Sequence, residues 1–454
     1  MLSEVFAAIE RRRQESVNGL KRFLRFASVS AQPGHAADVN ACAQWLAGQL
    51  RDCGLEAGVE PTGGHPAVVA RWPHRPGRPT VLLYGHYDVQ PPEPLDQWAS
   101  PPFEPTIRDG AIYARGAADD KGQVWAHVEA IRAWQQHGGP PVNLILLIEG
   151  EEEVGSENLA CFIQSRRDQL TADIAVISDT SQFARGAPAI TYGLRGLAYA
   201  EVFIQGPSHD LHSGIYGGAV PNPANILCRV LGSLHDADGR VNIDGFYDDV
   251  VPLSPQERDA WQRLPFDEQQ FARDLGLRSL CGESGHTTLE RRWARPTLDI
   301  NGLTSGYQGP GAKTVIPSTA SAKVSMRLVA RQDPLKVQAA FERAVRQRCP
   351  DFVNVSFAWH GLSPAALVPL DSAGIRLAER AVQKGFGVPP VMVREGGSIP
   401  VVGLIKTHLR IDTLLVGFGL PDDRVHSPNE KFDLDALYHG TRTAAALYQE
   451  LSAL

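Results

Sequence analysis

His86 and Asp88 stand two residues apart just beyond the apolar run Val81-Leu82-Leu83-Tyr84, and Glu151, Glu152 and Glu153 follow the run from Leu144 to Ile148. Asp179 closes the run Ile174-Ala175-Val176-Ile177, and His426 lies beyond Leu414-Leu415-Val416. Imidazoles and carboxylates are the donor types that hold divalent metals, and a metal-activated water hydrolyses amide and ester bonds. Side chains at i and i+2 of an extended segment point the same way, so Asp88 can orient the His86 ring while its other nitrogen binds metal. Several acidic groups directly after a strand repel one another unless a cation or solvent compensates them. Singly, each signal has a plainer reading. Asp119 and Asp120 precede a helix and can serve as caps, an acidic run is commonly a solvated loop, and a buried His is commonly a satisfied polar residue. All of them at one end of one sheet make a metal site.

The elements that must position them are legible from hydrophobic pattern. Short apolar runs without alternation suit parallel strands covered on both faces, and ligands collect beyond the carboxyl ends of such strands. Helical spacing through Ala41 to Asp52, Lys121 to His137 and Asn158 to Ser165 alternates with strands at Val81 to Tyr84, Asn143 to Ile148 and Ile174 to Ile177. That order predicts βαβ units and an α/β fold, a mostly parallel sheet with helices on both faces. From about Ile190 the pattern becomes period two, in Leu197 to Gln205 and Ser318 to Val329, as in antiparallel strands with one covered face. Tyr247 to Thr288 is rich in charge and punctuated by Pro252, Pro255 and Pro265, which predicts helices and loops. After Pro364 the first pattern returns, with a helix at Ile375 to Lys384 and a strand at Thr413 to Val416. The expected organisation is a catalytic domain in two parts, 1–192 and 365–454, around an inserted α+β lid or dimerisation domain at 193–364.

A chain of 454 residues, 43% of them hydrophobic, can bury a large core, and a net charge of −7 without basic clusters excludes nucleic acid and anionic membranes as expected partners. Cys42, Cys53, Cys161, Cys228, Cys281 and Cys349 are widely spaced with no CxxC, against a zinc-thiolate knuckle or a disulfide framework. With no secretory h-region and no membrane-length apolar run, a cytoplasmic location is expected.

Taken in order, Gly85-His86-Tyr87-Asp88-Val89-Gln90-Pro91, Arg115-Gly116-Ala117-Ala118-Asp119-Asp120-Lys121-Gly122, Glu149-Gly150-Glu151-Glu152-Glu153-Val154-Gly155-Ser156, Ser178-Asp179, Asp210-Leu211-His212-Ser213-Gly214 and His426-Ser427-Pro428-Asn429-Glu430 closely resemble the two-metal exopeptidase family of carnosinase-type dipeptidases, carboxypeptidase G, acylases and desuccinylases. The resemblance implies two divalent ions, zinc first with manganese or cobalt as alternatives. His86 and Asp179 would serve one ion, Glu153 and His426 the other, and Asp119 both, with a cis Asp119–Asp120 peptide. Asp88 would orient His86, and Glu152 would be the general base, with its neighbour Glu151 the confounder if the register slips by one. His212 would act in the partner subunit's site of a homodimer as oxyanion donor, leaving His209 on the surface.

Arg327 alternates with apolar residues in Ala320 to Leu328 and so faces away from the core. By the same resemblance its planar guanidinium would grip a substrate carboxylate. Thr314, His360 and the loop Gly396-Gly397-Ser398 match further substrate-contact positions. Asp at position 179 and the segments Gly193 to Gly196 and Arg394 to Pro400 look like the carnosinase-type subgroup. The expected activity is therefore hydrolysis of dipeptides with a free carboxylate. The alternatives are an N-acyl or N-carbamoyl amino acid amidohydrolase and a catalytically silent binding protein.

Overall fold

The computed structural model describes every residue except Ser398. The chain divides into two compact units, one of Met1–Tyr192, Val368–Val393 and Pro400–Leu454, the other of Gly193–Leu367 and Arg394–Ile399.

The first unit opens with helices Leu2–Arg11, Arg13–Leu24 and Ala36–Asp52. Strands β1 (Glu56–Glu60), β2 (Ala67–Arg71), β3 (Thr80–His86), β4 (Thr106–Arg108) and β5 (Ala111–Tyr113) follow, then helix Lys121–Gln135, β6 (Asn143–Glu149), helix Leu159–Ser165, β7 (Ile174–Ile177) and β8 (Ala189–Leu194). Through the second unit run β9 (Gly196–Gln205), β10 (Leu211–His212), β11 (Thr297–Ser305), β12 (Val315–Ile316), β13 (Thr319–Leu328), β14 (Asn354–Ser363) and β15 (Ala366–Leu367). The chain then returns through helix Ala373–Phe386, β16 (Val391–Glu395), helix Pro400–Leu409, β17 (Thr413–Leu415), β18 (Lys431–Asp433) and helix Leu434–Leu451.

The main sheet of the first unit runs β1-β2-β6-β3-β7-β17-β8. Its centre is parallel, β6 with β3, β3 with β7 and β7 with β17, and β1, β2 and β8 flank it antiparallel. All seven residues of β6 and all four of β7 are buried, which is why both read as unbroken apolar runs. Helix ends follow local chemistry. Asp433 caps the last helix through the N–H groups of Asp435 and Ala436, and Gly387, at φ 82°, ends Ala373–Phe386 in the left-handed conformation that glycine takes without strain. Helix Lys121–Gln135 is held against its neighbours by Trp134 Nε1 donating to the Ala445 carbonyl at 3.0 Å and Trp125 Nε1 to that of Ser16 at 2.8 Å. Phe23, Trp45 and Trp125 stack beside it. Full burial of a side chain such as Phe23 contributes about 1.5–3 kcal/mol.

In the second unit an antiparallel sheet runs β11-β13-β9-β14. Its alternation is visible in β13, where Ala320, Ala322, Val324, Met326 and Leu328 are buried and the residues between them are not. The buried face packs on Ile226, Leu227, Val230 and Leu231 of helix Pro223–Gly232 and on Val337, Ala340, Phe341 and Val345 of helix Pro334–Arg348. Helices Pro255–Gln262 and Glu268–Asp274 fill the charged stretch, the first closed by a reciprocal Ser254–Glu257 capping box.

Candidate metal centre

Register brings the predicted ligands together. His86, the last residue of β3, pairs with Glu149, the last of β6, and Tyr84 pairs with Ile177, the last of β7. The three loops that follow therefore start side by side at one carboxyl edge, carrying His86–Asp88, Glu151–Glu153 and Asp179. β17 lies parallel beside β7, Leu415 opposite Ile177, so the segment leading to His426 leaves from the same edge.

Two clusters result, His86 with Asp119 and Asp179, and Asp119 with Glu153 and His426. His86 Nε2 is 3.0 Å from Asp119 Oδ1 and 3.9 Å from Asp179 Oδ2. His426 Nε2 is 3.0 Å from Asp119 Oδ2 and 3.2 Å from Glu153 Oε2. Asp119 thus turns one carboxylate oxygen to each cluster. The Asp119–Asp120 peptide is cis, as the resemblance implies.

The donor set suits cations. His86 is fully buried; its Nε2 faces Asp119 Oδ1 at 3.0 Å but makes no well-aligned hydrogen bond among the described residues, while its Nδ1 lies 3.1 Å from the Asp88 carbonyl and 3.4 Å from the Asp88 carboxylate. The ring is therefore aimed with its free nitrogen into the carboxylate cluster. Burial, reinforced by the charge of Asp119, holds the Asp179 carboxyl well above its usual range. Burial likewise lifts Glu152 to about 7, with Asp119 and Glu153 adding to it against the pull of His86. Hydrogen bonds to Asp119 and Glu153 push His426 up to about 10. Burial would raise Asp119, but His426 and His86 hold it below the ordinary carboxylate range. Divalent ions between these groups would satisfy the imidazole and offset the crowded carboxylates.

The supporting shell is specific. The Asp88 carboxylate accepts from the backbone N–H groups of Glu152 at 3.3 Å and Glu153 at 3.1 Å, so it fixes the acidic loop as well as facing His86. Gln90, to which the sequence reading gave no role, donates Nε2 to Glu153 Oε2 at 2.8 Å. Glu151 is engaged elsewhere, its Oε1 accepting from His65 N at 2.9 Å and both oxygens from Asn158 Nδ2. Of the three glutamates, Glu151 braces the loop, while Glu152 feels the charges of His86, Asp119 and Glu153.

The remaining predicted residues belong to the second unit. The β10–β12 ladder sets His212 opposite Val315, and Ser213 N donates to the Thr314 carbonyl at 3.0 Å, so His212 and Thr314 are neighbours. The His212 ring is exposed, its Nδ1 accepting from Gly214 N at 3.0 Å. His209 pairs with Ser208 on the surface. Arg327 is half-buried on the outer face of β13, opposite Leu197, and burial lowers its pKa against the pull of Asp299. His360 occupies the bulge between Trp359 and Gly361, its ring against Tyr199 and its Nε2 3.6 Å from Glu201 Oε2. Gly397 is exposed, and Ser398 lies outside the described residues.

A parallel sheet with a histidine–carboxylate edge defines a metallohydrolase architecture, and residues 82–450 match Peptidase family M20/M25/M40. The chain belongs to that family, whose members use divalent metal ions. It is 32% identical to the Cys-Gly metallodipeptidase of Schizosaccharomyces pombe over 100% of this chain and 99% of the relative. It is 31% identical to the Beta-Ala-His dipeptidase of Homo sapiens over 100% and 93%. Among solved structures it resembles human carnosine dipeptidase 1, with a TM-score of 0.85 at 30% identity over 100% of this chain and 99% of that one. A metallo-carboxypeptidase of the same family from Sulfolobus solfataricus gives 0.87 at 32% identity over 97% and 100%.

Proposed function

We propose that this chain is a metal-dependent dipeptidase that hydrolyses the peptide bond of short substrates with a free C-terminal carboxylate. The observation that carries the reading is the pair of donor clusters sharing Asp119, with Glu152 beside them and fixed through its backbone by Asp88. His86, Asp119 and Asp179 would hold one ion and Asp119, Glu153 and His426 a second, zinc suiting the imidazole–carboxylate set and manganese or cobalt being alternatives. Bound divalent ions acidify water and polarise a carbonyl.

The chain's own residues supply the rest. Glu152 takes a proton from the attacking water and delivers it to the leaving amine. Arg327 grips the substrate carboxylate through its planar fork, and Thr314, His360, Gly397 and Ser398 complete the substrate contacts. His212 donates to the oxyanion in the site of the partner subunit of a homodimer. The relatives named for Cys-Gly and Beta-Ala-His substrates support the dipeptide reading, and six unpaired cysteines support a cytoplasmic location.

The test is hydrolysis of a panel containing Cys-Gly, β-Ala-His, tripeptides and N-acetyl and N-carbamoyl amino acids by metal-reconstituted wild type and Glu152→Gln. Turnover confined to dipeptides and lost in the variant is the expected result. Turnover confined to the acyl or carbamoyl substrates would move the chain to the amidohydrolases, and none at all would leave substrate identity and the silent-binding reading open.

A further inference from the structure

Glu430 bridges two of the ligand-bearing loops, yet nothing in the reaction uses it. It is 1% exposed, four residues beyond His426, and its carboxylate is fully committed. Oε2 accepts from Arg115 Nη1 at 2.7 Å and Gly116 N at 2.9 Å, and Oε1 accepts from Ala118 N at 2.9 Å and Asp119 N at 3.1 Å. Its backbone carbonyl accepts from Ala114 N at 3.1 Å. One side chain therefore ties the loop that ends in Asp119 to the loop that begins at His426.

The His426 loop needs such an anchor. Arg424, His426 and Asn429 all take left-handed conformations, at φ 56°, 62° and 64°. For residues other than glycine each costs about 1–2 kcal/mol, so the loop keeps this shape only where its surroundings over-determine it. Asn429 contributes by accepting from Ala99 N and donating to the Gln97 carbonyl, both at 2.8 Å. Glu430 contributes the larger share, because its two oxygens accept from a guanidinium and three backbone amides where Asn429 makes two hydrogen bonds. Lys431 and Phe432 then pair with Tyr113 and Ile112, carrying the same registration into a small sheet.

We propose that Glu430 is a positioning residue for the metal centre, and that it sets the separation of Asp119 and His426 and with it the affinity of the Asp119–Glu153–His426 cluster for its ion. The inference rests on the two-ion reading above. The cluster of His86, Asp119 and Asp179 shares only Asp119 with this brace and depends on it less. Two of its three ligands are set by strands, His86 as the last residue of β3 and Asp179 two residues past β7.

Glu430→Gln tests it. The amide cannot accept on its nitrogen, so donors face donors at Arg115 and Gly116 or at Ala118 and Asp119. Metal-free protein is titrated with Zn²⁺ against a chromophoric chelator, and bound metal is counted after dialysis. Wild type should take two ions, and Glu430→Gln should bind one of them about 10–100-fold less tightly, the range for loss of a group that orients ligands. Glu450→Gln is the control, weakening a carboxylate's ion pairs with the more exposed Arg380 and Lys384, which touch no ligand. It should lower thermal stability and leave both affinities unchanged. Should Glu430→Gln fail to fold by circular dichroism, Glu430→Asp keeps the charge while drawing it back by one methylene, and the same loss is expected. Two ions bound as tightly by the position-430 variant as by wild type would overturn the inference alone. Wild type that binds no ion would overturn the metal reading beneath it.

Discussion

Glutamine at position 152 and glutamine at position 151 should separate two adjacent carboxylates by function. Glu151 accepts from the His65 amide at 2.9 Å and from Asn158 at 3.0 and 3.1 Å. Removing its charge turns charge-assisted hydrogen bonds of about 1.5–3 kcal/mol into neutral ones of about 0.5–1.5. Glu151→Gln should therefore cost about 1–3 kcal/mol of stability in urea unfolding and leave kcat within a few-fold of wild type. Glu152 makes no such brace among the described residues, and the proposed mechanism makes it the proton acceptor. Its replacement should cost about 10²–10⁴ in kcat, the usual contribution of a general base. At 1.36 kcal/mol per tenfold, that is about 3–5 kcal/mol of barrier. Because Glu152 stands against Asp119 and Glu153, removing its charge should not destabilise the metal-free protein. Steady-state kinetics on a dipeptide with metal content measured in parallel, so that lost metal is not mistaken for lost base, decide the matter. Glu151→Gln as inactive as Glu152→Gln, with metal retained in both, would mean the catalytic register is one residue earlier. Full activity in Glu152→Gln would remove the general base from the mechanism.

Arg327→Ala should raise KM for dipeptides at least tenfold with a smaller change in kcat, and unchanged kinetics would remove Arg327 as the carboxylate anchor. The metal-free protein should lose thermal stability as pH rises from about 7 to 9. Folded Glu149, lifted to about 8 chiefly by burial, and His426, lifted to about 10 by Asp119 and Glu153, still hold protons there that the unfolded chain has released. Divalent metal should flatten that slope by displacing the His426 proton, and a Tm that rises with pH in the absence of metal would contradict it. Gly122→Ala should destabilise by about 1–3 kcal/mol despite the better helix propensity of alanine. A β-carbon there falls 2.1 Å from the Ala117 carbonyl oxygen and 2.7 Å from Phe432. Unaltered urea unfolding would refute the crowding.

The parallel centre was legible because its strands are buried on both faces, so β3, β6 and β7 declare themselves as apolar runs with their chemistry at one end. The short strands β4, β5 and β18 left no such mark, since three residues pairing around Ile112 carry too little pattern to be separated from loop. Among the site residues, types and order were readable, but distances were not. That Asp119 offers one oxygen to each cluster depends on register between β3 and β6 and on the path back to His426, both long-range. The brace by Glu430 was invisible for the same reason. A glutamate after Asn429 looks like any surface acid until Arg115 and three amides are found around it. Glu151 is the converse case, chemically identical to its neighbours and told from them only by Asn158 and the His65 amide.

β17 sits between β7 and β8 although the whole of the second unit is synthesised before it. A nascent chain that has emerged only as far as β16 therefore presents the apolar, unpaired flank of β7 to whatever is nearby, other nascent chains included. Closing that gap is a non-local event, slow to occur and entropically costly. Until it happens, the segment carrying His426 has no sheet edge to leave from. Metal retention would thus report on the completeness of synthesis, because a chain cut short after β16 lacks His426, the last member of the proposed metal centre.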